Sequence, residues 1–174
     1  MAGVTAAEAA ARRSLRSRSA AWLIVYPLLA TAALLTDPPP TRRTGSRSGW
    51  WLGVPLALAG YPLGCALFGH RPYQAPPDPV ALEVAALAGA VAPAEEIVWG
   101  RSVERRLGLG TTAALFAAKH VVIDGRWRRA GGLFLFWVGL GLVRRRSAML
   151  AWGLHMTANA SGILLGHATR RDQF

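Results

Sequence analysis

Apolar residues run along this chain in six blocks, at 20–36, 50–69, 80–107, 111–124, 130–143 and 147–166, with arginine and proline clusters between them. Blocks of this length and content read as membrane helices. Trp50-Trp51 opens the second block, an aromatic pair suited to the headgroup level. The third block is the longest, carries Arg101, Glu104, Arg105 and Arg106 in its last two turns, and is broken by Gly108-Leu109-Gly110. The fourth and fifth fall short of the roughly 20 residues of a full span, so they thin the bilayer or lie partly inside protein. The pattern predicts an all-α fold, a polytopic membrane helix bundle of about six transmembrane helices.

The organisation that follows is a basic arm over 1–19, two helices with their loops over 20–79, a helical core over 80–166 and a short tail over 167–174. The first block also resembles a signal peptide, with Ala30-Thr31-Ala32 as a cleavage site and Arg12-Arg13 as a twin-arginine hint. A retained helix is the preferred reading, because five further apolar blocks must insert anyway.

Composition changes this picture little. The 174 residues are 52% hydrophobic, with 20 Lys+Arg against 9 Asp+Glu and a net charge of +11. The arginines lie between apolar blocks and form no single basic domain, so they suit anionic headgroups and not nucleic acid. Arg12, Arg13, Arg16, Arg18, Arg71, Arg126, Arg128, Arg129, Arg170 and Arg171 fall on one side of a six-pass topology. Arg42, Arg43, Arg47, Arg101, Arg105, Arg106, Arg144, Arg145 and Arg146 fall on the other, 10 against 9, which sets no orientation. Cys65, the only cysteine, reads as a small packing residue.

Three polar groups interrupt the apolar blocks: Glu95-Glu96, Phe116-x-x-x-His120 and His155-x-x-x-Asn159. Such groups are expensive in hydrocarbon and mark a functional site by default. Glu95 lies 13 residues before Gly108 and His120 lies 12 after it. At about 1.5 Å per residue, both sit roughly 18–20 Å from that turn on antiparallel helices. His155 and Asn159 enter from the same side after Arg144-Arg145-Arg146 and reach a similar level. They are i and i+4, so they share a face. A Glu–His pair can activate water for attack on a carbonyl, and a second imidazole and an amide can hold the oxyanion. Phe116 reads as packing, Glu83, His70 and His167 as interfacial, and Asp124-Gly125 as a turn. Carboxylates and imidazoles also suit zinc, but no H-E-x-x-H spacing is present, so no cofactor is expected.

These motifs resemble the signature of the CPBP family, the CAAX-type intramembrane proteases and the bacterial self-immunity or Abi proteins. That signature is EExxxR, then FxxxH, then HxxxN or HxxxD, on successive membrane helices. Glu95-Glu96, Phe116/His120 and His155/Asn159 match it in type, order and spacing, over residues 80–166. The resemblance implies that Glu95 and His120 activate water, that His155 and Asn159 hold the oxyanion, and that Glu96 supports them without a metal. It also implies a multi-pass protein of a bacterial cell membrane, with lipid as surroundings and a peptide or lipidated protein as substrate.

One position departs. The family places Arg four residues after the second Glu; this chain has Gly100, then Arg101, with Trp99 where the family has Phe. On an α-helix Arg101 would be turned about 140° from Glu96. Lys119, at similar depth, is the expected compensating partner of Glu96. The displaced arginine also supports an alternative, a catalytically inactive immunity or adaptor protein on the same scaffold. A proton-relay transporter is a third reading, disfavoured by the lack of an inverted repeat.

Overall fold

A computed structural model describes residues 17–36, 49–69, 78–124 and 127–171. Among these residues every regular element is helical. Six rods follow in order: α1 Arg18–Thr36, α2 Trp50–Leu67, α3 over 80–107, α4 Leu109–Asp124, α5 Ala130–Arg144 and α6 Ala148–Arg171. They coincide with the six apolar blocks to within a few residues, except that α6 continues past residue 166 and takes in His167. Helix α1 also begins earlier than expected, so Arg18 belongs to the helix and not to the arm. The expectations for the arm up to residue 16, for the loop over 37–48, for His70 and its proline-rich loop, for Gly125 and for the last three residues lie outside the described residues.

Two rods, α1 and α2, are each long and apolar enough to cross a membrane. The rods alternate in direction. Helix α4 reverses α3 through one residue, Gly108, whose φ of 78° and ψ of 167° suit only glycine. Its amide donates to Glu104 O, and its carbonyl accepts from the Thr112 amide and hydroxyl, so one residue closes one helix and starts the next.

Helices α2 and α5 make the closest antiparallel pair, and small residues are the reason. A Cβ on Gly64 would lie 2.4 Å from the Gly132 backbone, and one on Gly139 would lie 2.4 Å from Ala57 N. Backbones this close need glycine on both faces, as in membrane helix pairs. Cys65 is fully buried in the same seam, which agrees with its reading as a packing residue. Gly64→Ala is expected to cost about 1–3 kcal/mol, because the clash is with backbone that cannot rotate away. An unfolding midpoint equal to that of the parent protein would refute this close approach.

Helices α1 and α3 pack through Trp22, Tyr26 and Ala30 against Ala86, Val91 and Ala94. Their N-termini meet, and this corrects the reading of Glu83. It is 1% exposed and paired with Arg18 at 3.1 Å, because α1 covers the start of α3. Asp78 caps α1 from a distance in sequence, accepting from the Ser19 amide at 3.0 Å and the Ser17 hydroxyl at 3.1 Å. Partial burial pulls the Asp78 pKa upward, but the hydrogen bonds from Ser19 and Ser17, with Arg18 nearby, outweigh it and hold the carboxyl below its ordinary 3.8. A depressed pKa gives stability that is present above the unfolded value and lost as pH falls through the folded one. Asp78→Ala should therefore lower stability at pH 6, by about 1 kcal/mol for a lost cap, and converge with the parent protein at strongly acidic pH. Parallel stability curves for the two proteins at every pH would refute the cap.

Helix α3 is not a uniform α-helix. Two π-helical stretches, Ala85–Val91 and Glu96–Val103, flank a single α turn, Ala92–Glu95. Pro93 sits in that turn and donates no backbone hydrogen bond, which interrupts the ladder where the first π stretch ends. π turns of this kind are frequent at functional sites. They also revise the sequence-based angle between Glu96 and Arg101, which assumed α-helical spacing. With i→i+5 bonding, residues five apart lie closer to one face.

Candidate active site

The floor of the site is aromatic. Phe116 is 1% exposed and stacks on Trp137 with centroids 4.2 Å apart. It also meets Trp99 edge-on at 5.8 Å. One turn later on α4, the His120 ring stands edge-on to Phe116 at 4.9 Å. The i,i+4 spacing of Phe116 and His120 thus places the phenyl ring against the imidazole and fixes where it stands.

Above this floor α3 presents Glu95 and Glu96, both almost fully buried. Glu95 Oε1 pairs with Lys119 Nζ and lies 3.9 Å from His120 Nε2. Its other oxygen, Oε2, lies 3.6 Å from His155 Nε2. Glu96 Oε1 is 3.0 Å from His155 Nδ1. His155 is 1% exposed and bridges the two carboxylates with its two ring nitrogens. Edge-on contact with Phe136 at 5.0 Å holds the ring from the side. Glu95, Glu96, His120 and His155, up to 60 residues apart, therefore meet as the depth arithmetic from Gly108 predicts, while Asn159, expected at the same level, bonds the Leu87 carbonyl.

Asn159 lies one turn beyond His155 on α6. Its Nδ2 donates to Leu87 O at 3.0 Å, in the first π stretch. The same carbonyl accepts the Ala92 amide, so Asn159 ties α6 to the irregular part of α3. One amide hydrogen of Asn159 is left for other work.

The ion pairs correct the expected partner of Glu96. Lys119 bonds Glu95, not Glu96, and its ammonium lies 4.7 Å from the Phe116 centroid. The two helices face each other at Glu95, while Glu96 is turned toward α5 and α6. There it meets Arg144, whose Nε donates to Glu96 Oε2 at 2.9 Å and whose Nη2 lies 2.7 Å from the same oxygen. Arg144 Nη1 also donates to Glu104 Oε2. Sequence reasoning missed Arg144 and Glu104. The signal was available: Glu104 lies four residues before Gly108 and Arg144 ends the adjacent parallel helix, so both sit near one end of the bundle. Arg101 is half-buried on the same stretch of α3.

Among the described residues no three His, Cys, Asp or Glu side chains are grouped as a metal ion would require. Compared with protein-family models, the curated proteins and the solved structures, the chain matches none.

Proposed function

We propose that this chain is a multi-pass bacterial membrane protein that acts as an intramembrane glutamate-type endopeptidase. The observation that carries the reading is a buried carboxylate, Glu95, with two imidazoles from two other helices within 4 Å. The membrane setting is supported by an inverted distribution of polarity. Glu83, Glu95, Glu96, Glu104 and His155 are buried, while Leu35 is 82%, Leu67 72% and Leu28 65% exposed. Apolar side chains on the outside suit lipid, and polar ones inside mark a reaction path.

A water held between Glu95 and His120 gives a proton to the Glu95 carboxylate as its oxygen attacks the scissile carbonyl. The oxyanion is met by the second amide hydrogen of Asn159 and by His155 when its Nε2 carries a proton. The C–N bond then breaks, and the proton collected by Glu95 passes to the leaving amine. The substrate is a peptide or lipidated protein reaching the site from the bilayer. The chain's own residues provide every proton transfer.

A second reading is favoured by one observation. Lys119 already occupies Glu95 Oε1, which leaves the proposed base partly committed. A scaffold that uses these groups only to hold three helices together would act as an immunity or adaptor protein. Hydrolysis of quenched-fluorescence peptides by the purified chain, prenylated and plain, with and without chelator, separates the two. Chelator-resistant turnover supports the protease; a folded protein that cuts nothing in the panel puts the adaptor first.

A further inference from the structure

We infer that Arg144, seated against Gly100, is a positioning residue that fixes the protonation pattern of the His155 ring through Glu96. Three observations carry this. First, the guanidinium is buried, with its side chain 7% exposed, and its nitrogens reach both Glu96 and Glu104. It also lies over Trp137, 5.1 Å from the centroid. Two of its nitrogens converge on Glu96 Oε2 and the third takes Glu104, so the planar guanidinium ties both carboxylates in place and leaves Glu96 Oε1 for His155.

Second, the seat is cleared for it. A Cβ on Gly100 would come within 2.6 Å of Arg144 Nε and 2.7 Å of Cζ. Any larger residue at position 100 would stand where the guanidinium now lies. Gly100 and Arg144 are therefore one device built from two helices: α3 gives up a side chain and α5 fills the space with a charge.

Third, the far oxygen of Glu96 meets His155 Nδ1 at 3.0 Å. A carboxylate paired with a guanidinium only accepts hydrogen bonds. Nδ1 must then carry the hydrogen, and Nε2 is the nitrogen turned toward Glu95 Oε2, 3.6 Å away. A partner on one ring nitrogen sets the state of the other. His155 thus keeps its hydrogen on Nδ1, and Nε2 is the one nitrogen left to take or give a proton at the site. This assignment holds whether or not the site hydrolyses peptides, since it concerns the ring and not the turnover.

The test reads the ring directly. The full chain, labelled with 15N-histidine and held in lipid nanodiscs, is compared with Arg144→Leu and Gly100→Leu; the His155 signal is assigned by its loss in His155→Gln. The parent protein should show His155 protonated at Nδ1. Arg144→Leu should lose that single pattern and give mixed tautomers. Gly100→Leu keeps the arginine but fills its seat, and should lose the pattern too. An unchanged His155 signature in either variant, with helical content and monodispersity retained, overturns the inference. If Arg144→Leu does not fold, Gly100→Leu decides alone.

Discussion

Glu95→Gln is expected to lower peptide hydrolysis by about 10²–10⁴-fold, the range for removal of a positioned general base. The amide keeps the shape of the carboxylate and accepts a hydrogen bond from Lys119, but it takes no proton from water. The substitution also leaves Lys119, whose side chain is 13% exposed, without its counter-charge, so some loss of stability should accompany it. Glu95→Gln/Lys119→Met separates the two effects. Removing both charges restores stability, because a buried pair can be replaced by neutral groups with little net loss. Hydrolysis stays absent, because the base is still missing. Turnover in Glu95→Gln near that of the parent protein would assign the catalytic proton transfer elsewhere.

Arg144→Leu should destabilise the fold by about 3–5 kcal/mol, the cost of removing one partner from a buried ionic group. The magnitude follows from burial. The side chains of Glu96 and Glu104 are 0% and 2% exposed, so solvent does not screen what the arginine leaves behind. Glu83 with Arg18 is the internal comparison. Arg18 is itself 35% exposed and its removal strands one buried carboxylate, not two, so it should cost less. Reversible unfolding in mixed micelles measures both. A third variant, Arg144→Leu with Glu96→Gln and Glu104→Gln, should recover most of the loss by removing the stranded charges together. A loss below about 1 kcal/mol for Arg144→Leu would place the pair in the range of exposed ion pairs and contradict its burial.

The two expectations meet in α3. Glu95 faces α4 and Glu96 faces α5 and α6, as adjacent residues on a helix point about 100° apart. One carboxylate is left facing both imidazoles, and the other becomes the anchor for a single ring. Adjacent glutamates with different partners can hold different tasks, since environment and not residue type sets what a carboxyl group does.

The sequence by itself determined the helical class, the position of the six rods and the depth at which Glu95, His120 and His155 meet. These are properties of the chain's own periodicity and rise: apolar blocks between breakers fix the rods, and a constant rise per residue from Gly108 fixes the level. Cys65 and Phe116 were legible for the same reason, as small or aromatic residues inside apolar blocks. The tertiary structure alone decided who pairs with whom around each helix. Lys119 was assigned to Glu96 from depth, but depth says nothing about azimuth, and the π turns of α3 shift the azimuth that an α-helical count assumes. Glu83 was read as interfacial from its place at a helix start, because nothing local reveals that α1 lies over it. Arg144 stood in an arginine run that looked like a headgroup anchor; its reach into the site depends on the space at Gly100, which exists only when α3 and α5 are packed side by side.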